Sequence, residues 1–216
     1  MADLSVRYEG PIAIVAIQRA EQRNALRRST WLEMAGVFSD LSGNSTVRAV
    51  LLTGAGGNFS VGADISEFGD ARATAQQARD YEVAVDMASY SIADCPKPTF
   101  GVISGYCLGG GCHLAMACDF RIAGPSATFG IPAAKLSIVY GVRSTQRLAS
   151  LVGLPAAKRI LYTAHRFGAD EALRLGFVDE LASDPLVRAR EMALQMAANA
   201  PLSIAGAKSI DRKSVV

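Results

Sequence analysis

Apolar residues along this chain follow two alternating patterns, short unbroken runs closed by glycine and longer stretches with helical spacing. Ser5 to Tyr8 and Ile12 to Ile17 are rich in β-branched residues and are separated by Gly10-Pro11, which predicts two strands joined by a tight turn. Leu32, Ala35, Phe38 and Leu41 repeat at helical spacing, and Gly43 stands where that helix would stop. Val47 to Thr53 is an apolar run interrupted by Arg48 near its start, as expected of a strand buried on both faces, and Gly54-Ala55-Gly56-Gly57-Asn58 breaks it. The order then repeats. Ala75 to Ile92 reads as a helix closed by Pro96 and Pro98, and Thr99 to Ser104 as a strand feeding a triple glycine. The helix from about Gly110 to Ala117 is apolar nearly all round and is therefore expected to be buried. Phe120 to Ala123 and Ala127 to Gly130 read as short strands. Helices then dominate: Thr145 to Val152 ending at Gly153, Ala156 to Thr163, Asp170 to Leu175 ending at Gly176, and Leu186 to Ala198. The succession predicts an α/β core with a helical tail.

Strand, glycine loop and helix follow one another twice, around residues 47 to 70 and 99 to 118. Ligands of open α/β sheets sit outside the carboxyl ends of the strands, so both loops are expected to face one crevice. In the second loop, Gly109-Gly110-Gly111 lets the backbone approach a ligand closely, and the helix start leaves N–H groups unpaired for an oxyanion. Close helix packing without a ligand explains the glycines equally well. A phosphate loop would need a Lys-Ser/Thr ending or Gly-x-Gly-x-x-Gly, and neither is present. The first loop, Asn58 to Ile65, is placed to aim a second N–H at the same crevice. Two such donors make an oxyanion hole. No Gly-x-Ser-x-Gly elbow is present, and the sequence marks no serine partner for His113 or His165, so the remaining use is stabilising an enolate.

Composition narrows the partners. A chain of 216 residues, half of them apolar, suits one domain or one domain with an appendage. The 22 basic and 20 acidic side chains imply neither nucleic acid nor an anionic membrane as partner. Arg19, Arg23, Arg27 and Arg28 form a local cluster that reads as a solvated face or a contact for an anionic group. The first residues lack a signal-peptide pattern and no run of eighteen apolar residues occurs, so a cytoplasmic location is expected. Cys95, Cys107, Cys112 and Cys118 lack Cys-x-x-Cys spacing and suit packed, reduced thiols; with two histidines in the chain, no metal site is expected.

Arg23-Asn24-Ala25-Leu26, Phe59 to Ile65, Gly105 to Asp119, and Phe129-Gly130-Ile131-Pro132 followed by Gln146-Arg147-Leu148 occur in an order that resembles the crotonase superfamily, the enoyl-CoA hydratase/isomerase family. The resemblance implies a spiral of ββα units over residues 1–142, a helical region over 143–216, assembly as a homotrimer or hexamer, and acyl-CoA thioesters as ligands. Coenzyme A would enter as part of the substrate, with no separate cofactor. The resemblance assigns the oxyanion donors to the N–H groups of Ala63 and Gly110. Arg23 and Ala25 match the stretch along the CoA nucleotide and pantetheine, and Ala63, Asp64 and Ile65 the part holding the adenine end and thioester. Asp64 also fits a helix cap, and Arg23 an ordinary surface charge.

The sequence departs from the family where the chemistry is decided. Hydratases of this family carry one glutamate just after the triple glycine and another after the Phe-Gly strand; His113 and Ala133 occupy those positions here. Two carboxylates activating one water are therefore not expected. His113 shares a helix face with Gly110 and is one catalytic candidate, or else a neutral core histidine. Tyr140 is the other, resembling a tyrosine of the family's malonyl-type decarboxylases, although their first-loop histidine is replaced by Ala63. Lys135 and His165 read as surface residues. Family members usually continue with further helices beyond the segment resembling Ala200 to Lys208, so the C-terminus reads as shortened. The expected function is a lyase or isomerase that stabilises a thioester enolate. The alternatives are a malonyl-type acyl-CoA decarboxylase and a catalytically weak acyl-CoA-binding protein.

Overall fold

The computed structural model describes residues 2–71 and 73–213. The chain opens with β1 (Leu4–Glu9) and β2 (Ile12–Ile17), an antiparallel hairpin turning on Gly10, and continues through α1 (Arg28–Gly43) to β3 (Ala49–Gly54). A short helix α2 (Phe68–Ala71) precedes α3 (Ala75–Asp94), whose start carries a reciprocal cap between Thr74 and Gln77. Next come β4 (Thr99–Ile103), β5 (Tyr106–Leu108), α4 (Gly110–Ala117), β6 (Phe120–Ala123) and β7 (Thr128–Gly130). The remainder is α5 (Val142–Thr163), β8 (Arg166–Gly168), α6 (Ala169–Leu175), β9 (Glu180–Leu181), α7 (Pro185–Ala197) and α8 (Pro201–Lys213).

Two sheets organise these elements. The larger runs β1-β2-β3-β4-β6-β9, with all but the β1 edge pairing parallel; the smaller runs β5-β7-β8. Each turn of the spiral places its first strand in the large sheet and its second in the small one, then a helix: β4, β5, α4 and then β6, β7, α5. The turn that starts with β3 does the same through Ser60, which bridges to Cys107 of β5. This is an α/β fold of ββα units. Among the described residues no helix is long and apolar enough to cross a membrane.

The apolar runs are continuous because the large sheet is covered on both faces. Ala13, Val15 and Ile17 of β2 join the main core with Trp31, Phe38 and α4, while Ile12 and Ile14 join a second layer beneath Ala189 and Ala193 of α7. From Gly111 to Ala117 every residue of α4 is buried.

Two expectations are corrected. Thr99 to Ser104 does not feed the triple glycine directly, because the chain first adds β5 to the small sheet. Residues 143 to 213 are mainly helical, yet β8 pairs with β7 and β9 with β6, so this region completes both sheets. The break expected at Gly153 is present as a residue with φ 75° and ψ 158° inside α5.

Candidate active site

Asn24 holds the first loop in place. It is fully buried with a left-handed φ of 58°, a conformation that asparagine tolerates better than most residues. Its Nδ2 donates to the carbonyls of Ala55 (2.8 Å) and Asn58 (2.7 Å), and its own carbonyl accepts from Ser60 Oγ at 2.7 Å. Ser60 N donates to Tyr106 O and Ser60 O accepts from Leu108 N, so the loop lies as an extra strand on β5. Asn58 Oδ1 takes the N–H of Tyr106 at 3.0 Å. The glycine-rich loops after β3 and β4 are thereby joined into one unit.

That unit presents two main-chain donors. Leu26 N donates to Gly62 O and Asp64 N donates to Leu26 O, so the Ala63 N–H between them points away from Leu26. Gly109, with φ 50° and ψ −110°, turns the chain into α4 and leaves Gly110 N as the first free amide of the helix. Neither N–H has a hydrogen-bond partner among the described residues. They are close: a Cβ on Gly110 would lie 3.3 Å from Ala63 N, and one on Gly62 would lie 2.7 Å from Gly110 N. Both residues line a cavity of about 460 Å³. The dipole of α4 adds positive potential where an oxygen would sit.

His113 and Tyr140 line the same cavity. His113 packs edge-on between Trp31 (6.4 Å) and Tyr140 (6.1 Å). Its Nδ1 is 2.5 Å from Ser144 Oγ, on α5, a partner the sequence did not mark. Burial, aided by the charge of Arg147, lowers its pKa to about 3, so the ring is neutral at physiological pH. Tyr140 is half-buried and its hydroxyl donates to Gly109 O at 3.3 Å; burial pushes the phenol well above its ordinary range, keeping the proton on oxygen. Ala133 lines the cavity as well, and the carboxylates that reach it are Glu82 and Asp86 of α3. These two, with Trp31, Tyr81 and Arg143, escaped the sequence reading. Helical periodicity marks α3 as amphipathic but not which residues meet the cavity.

Of the other candidates, Ile65 alone joins the cavity wall. Ile65 lines the cavity and is exposed, whereas Arg23, Ala25 and Asp64 do not line it. Asp64 caps the short turn Ile65–Glu67 through Ser66 N and pairs with Arg19 at 3.0 Å; the Ser66 hydroxyl, then Arg19, holds its carboxyl below the usual range. Arg19 also donates to Ala25 O at 2.5 Å, and Arg27 pairs with Asp3 at 2.6 Å. Half of the arginine cluster therefore holds the fold together instead of forming a solvated face. Arg23 is exposed, its guanidinium 5.5 Å from the Tyr106 ring centroid. Lys135 is exposed, and His165 lies near the surface with Nδ1 2.7 Å from Thr163 Oγ1. The four cysteines are buried and unpaired.

Residues 7–215 match the family model described as enoyl-CoA hydratase/isomerase. The chain belongs to the enoyl-CoA hydratase/isomerase family. It is 39% identical over 199 residues to the short-chain-enoyl-CoA hydratase of Clostridium acetobutylicum, covering 91% of this chain and 76% of that one. With the crotonyl-CoA hydratase of Syntrophomonas wolfei it shares 37% identity over 180 residues, 83% of this chain and 68% of the other. The solved structure of an enoyl-CoA hydratase/isomerase family protein from Hyphomonas neptunium superposes with a TM-score of 0.95 at 36% identity, covering 97% of this chain and 81% of that one. In this family member the cavity lies where both glycine loops end, as the strand topology implies.

The buried imidazole makes a prediction about stability. In the unfolded chain His113 takes a proton near pH 6.5, while the folded protein refuses it until about pH 3. Stability is therefore lost as pH falls below 6.5, by about 1 kcal/mol per pH unit, and is unaffected by this group above that pH. Urea unfolding of the wild type and His113→Gln between pH 4.5 and 7.5 checks this. Parallel pH profiles for the two proteins would contradict it.

Proposed function

We propose that this protein is an acyl-CoA-processing enzyme whose Ala63 and Gly110 N–H groups polarise a thioester carbonyl and stabilise the enolate derived from it. The single observation behind this reading is the pair of unpartnered main-chain donors converging at one end of an apolar cavity. The acyl group lies in that cavity against Trp31, Val85, Ile131 and Ala133, and Ile65 flanks the entrance. The CoA portion extends along the segment of Arg23, Ala25 and Asp64, with the exposed Arg23 guanidinium, beside the Tyr106 ring, as its phosphate contact. Assembly as a trimer or a pair of trimers belongs to the same reading.

The chemistry follows from what surrounds the hole. His113 and Ala133 stand at the positions matching the hydratases' glutamates, and a neutral imidazole beside a methyl group does not activate water as two carboxylates do. Lyase or isomerase chemistry through the enolate fits better, with Glu82 and Asp86 as the carboxylates that can exchange a proton at the cavity wall. The same two negative charges weigh against a malonyl-type substrate, whose free carboxylate would face them.

Incubation with enoyl-, 3-hydroxyacyl- and malonyl-type CoA esters in heavy water, read by mass spectrometry, tests this. The expected result is exchange of C2 protons of the 3-hydroxyacyl ester for solvent deuterium, the mark of a reversibly formed enolate, with net hydration of crotonyl-CoA slow by comparison and no loss of carbon dioxide from the malonyl-type ester. Absence of turnover and of label across the panel would remove the enzyme reading.

A further inference from the structure

The segment between β7 and α5 opens with a short turn, Pro132–Leu136, and loops along the cavity. It leaves the oxyanion end at Pro132, whose Cδ would lie 3.7 Å from a Cβ on Gly109, and it comes back with the Tyr140 hydroxyl on Gly109 O. Between these anchors its tip is apolar and open to solvent. Leu136 is 50% and Val139 90% exposed, and Val142, at the start of α5, is 75% exposed. All three line the cavity, as do the half-buried Ile138 and, from α2 and α3, Phe68, Tyr81 and Val85. The apolar lining therefore extends from Trp31, buried beside Gly110, to side chains that stand in water. Single exposed apolar residues are ordinary, but three on the rim of one cavity form a patch that a ligand can cover. Of the charged residues in the wall, Glu82 and Arg143 are exposed, and the Arg143 guanidinium lies 4.4 Å from the centroid of the Tyr90 ring. The cavity is also too large for a small acyl group. At about 30 Å³ per water-sized group, a volume of about 460 Å³ has room for about fifteen non-hydrogen atoms, and a butyryl group fills about a third of it.

We infer that the cavity takes a straight acyl chain of about eight to ten carbons, and that Leu136, Val139 and Val142 cover its far end. The length follows from the volume, once the thioester and the first pantetheine atoms are given their share. The straight shape follows from the rim: a compact ring or branched group would fill the buried half and leave Leu136 and Val139 wet, whereas an extended chain reaches them. Each methylene laid against these side chains leaves water together with the apolar surface it covers. The loop tip thus sets which thioesters are preferred and takes no part in the proton chemistry. The inference rests on the acyl-thioester reading above.

Calorimetry on the full chain tests it, with saturated CoA esters kept below the concentration at which they form micelles. Affinity should rise about two- to fourfold per methylene from butyryl- to octanoyl-CoA, at one ester per chain, and level off beyond decanoyl-CoA. The double variant Leu136→Ser with Val139→Ser should weaken decanoyl-CoA about tenfold and leave butyryl-CoA within about twofold. Both side chains stand in water, so the substitutions are expected to leave the fold intact. Three results overturn the inference while the acyl-CoA reading stands: butyryl-CoA binding as tightly as decanoyl-CoA, phenylacetyl-CoA binding more tightly than octanoyl-CoA, or a double variant that weakens both straight-chain esters equally or neither. If no ester of the series binds, the acyl-CoA reading itself fails and this inference falls with it.

Discussion

Gly110→Ala is expected to lower kcat/KM by about 10²- to 10³-fold, for whichever thioester is turned over, at a stability cost of about 1–2 kcal/mol from crowding Trp31. The added Cβ would sit 3.0 Å from Cη2 and Cζ2 of Trp31 and 3.3 Å from Ala63 N, in the space between the two donors. Trp31 cannot swing away freely, because its Nε1 donates to Tyr81 Oη at 3.1 Å inside the core. The methyl group therefore crowds the substrate oxygen. Backbone strain is not added, since Gly110 lies in the first turn of α4 without a positive φ, and alanine favours the helix. Steady-state kinetics alongside urea unfolding checks both halves. Wild-type activity in this variant would place the oxyanion somewhere other than between these amides.

Gly111→Ala, one residue on, is expected to act on the fold first, costing roughly 3 kcal/mol or more. Its Cβ would meet Ser60 O at 2.4 Å and Ser60 C and Cβ at 3.2 Å. These atoms cannot yield. Ser60 is fully buried, its N–H and carbonyl are both committed to β5, and its hydroxyl is held by Asn24 O. Displacing Ser60 also drags Ala63, three residues along the same strand-like segment. The measurement is the denaturant midpoint, expected to fall well below that of Gly110→Ala. Equal midpoints for the two variants would mean that α4 and the first loop are less tightly packed than these distances require.

Much of this architecture was legible because burial on two faces leaves a signature. β2, β3 and β4 are apolar but for Thr53 and Thr99 at strand ends, and Gly43, Gly153 and Gly176 mark helix ends or breaks where the sequence placed them. The small sheet was harder to see. β5 and β8 are three residues each, too short for periodicity to register, and β5 lies inside a glycine-rich run read as loop. β9 has two residues. In the site, the glycines marked the two loops that close on the cavity, and the assignment to Ala63 and Gly110 within them came from the family resemblance. Ser144 was not, since its partner His113 is 31 residues away and nothing local distinguishes this serine from others. Asn24 stood in a quoted motif, but its role depends on carbonyls more than 30 positions downstream. Pairings of that kind are written in the fold and not in the neighbouring residues.

Trp31 is the chain's single tryptophan, and its indole abuts both Gly110 and His113 while bonding to Tyr81. Intrinsic fluorescence excited at the indole therefore arises from one chromophore on the wall of the cavity. Its emission reports on the polarity and quenching at that wall alone, which gives the protein a built-in optical sensor for occupancy that needs no label.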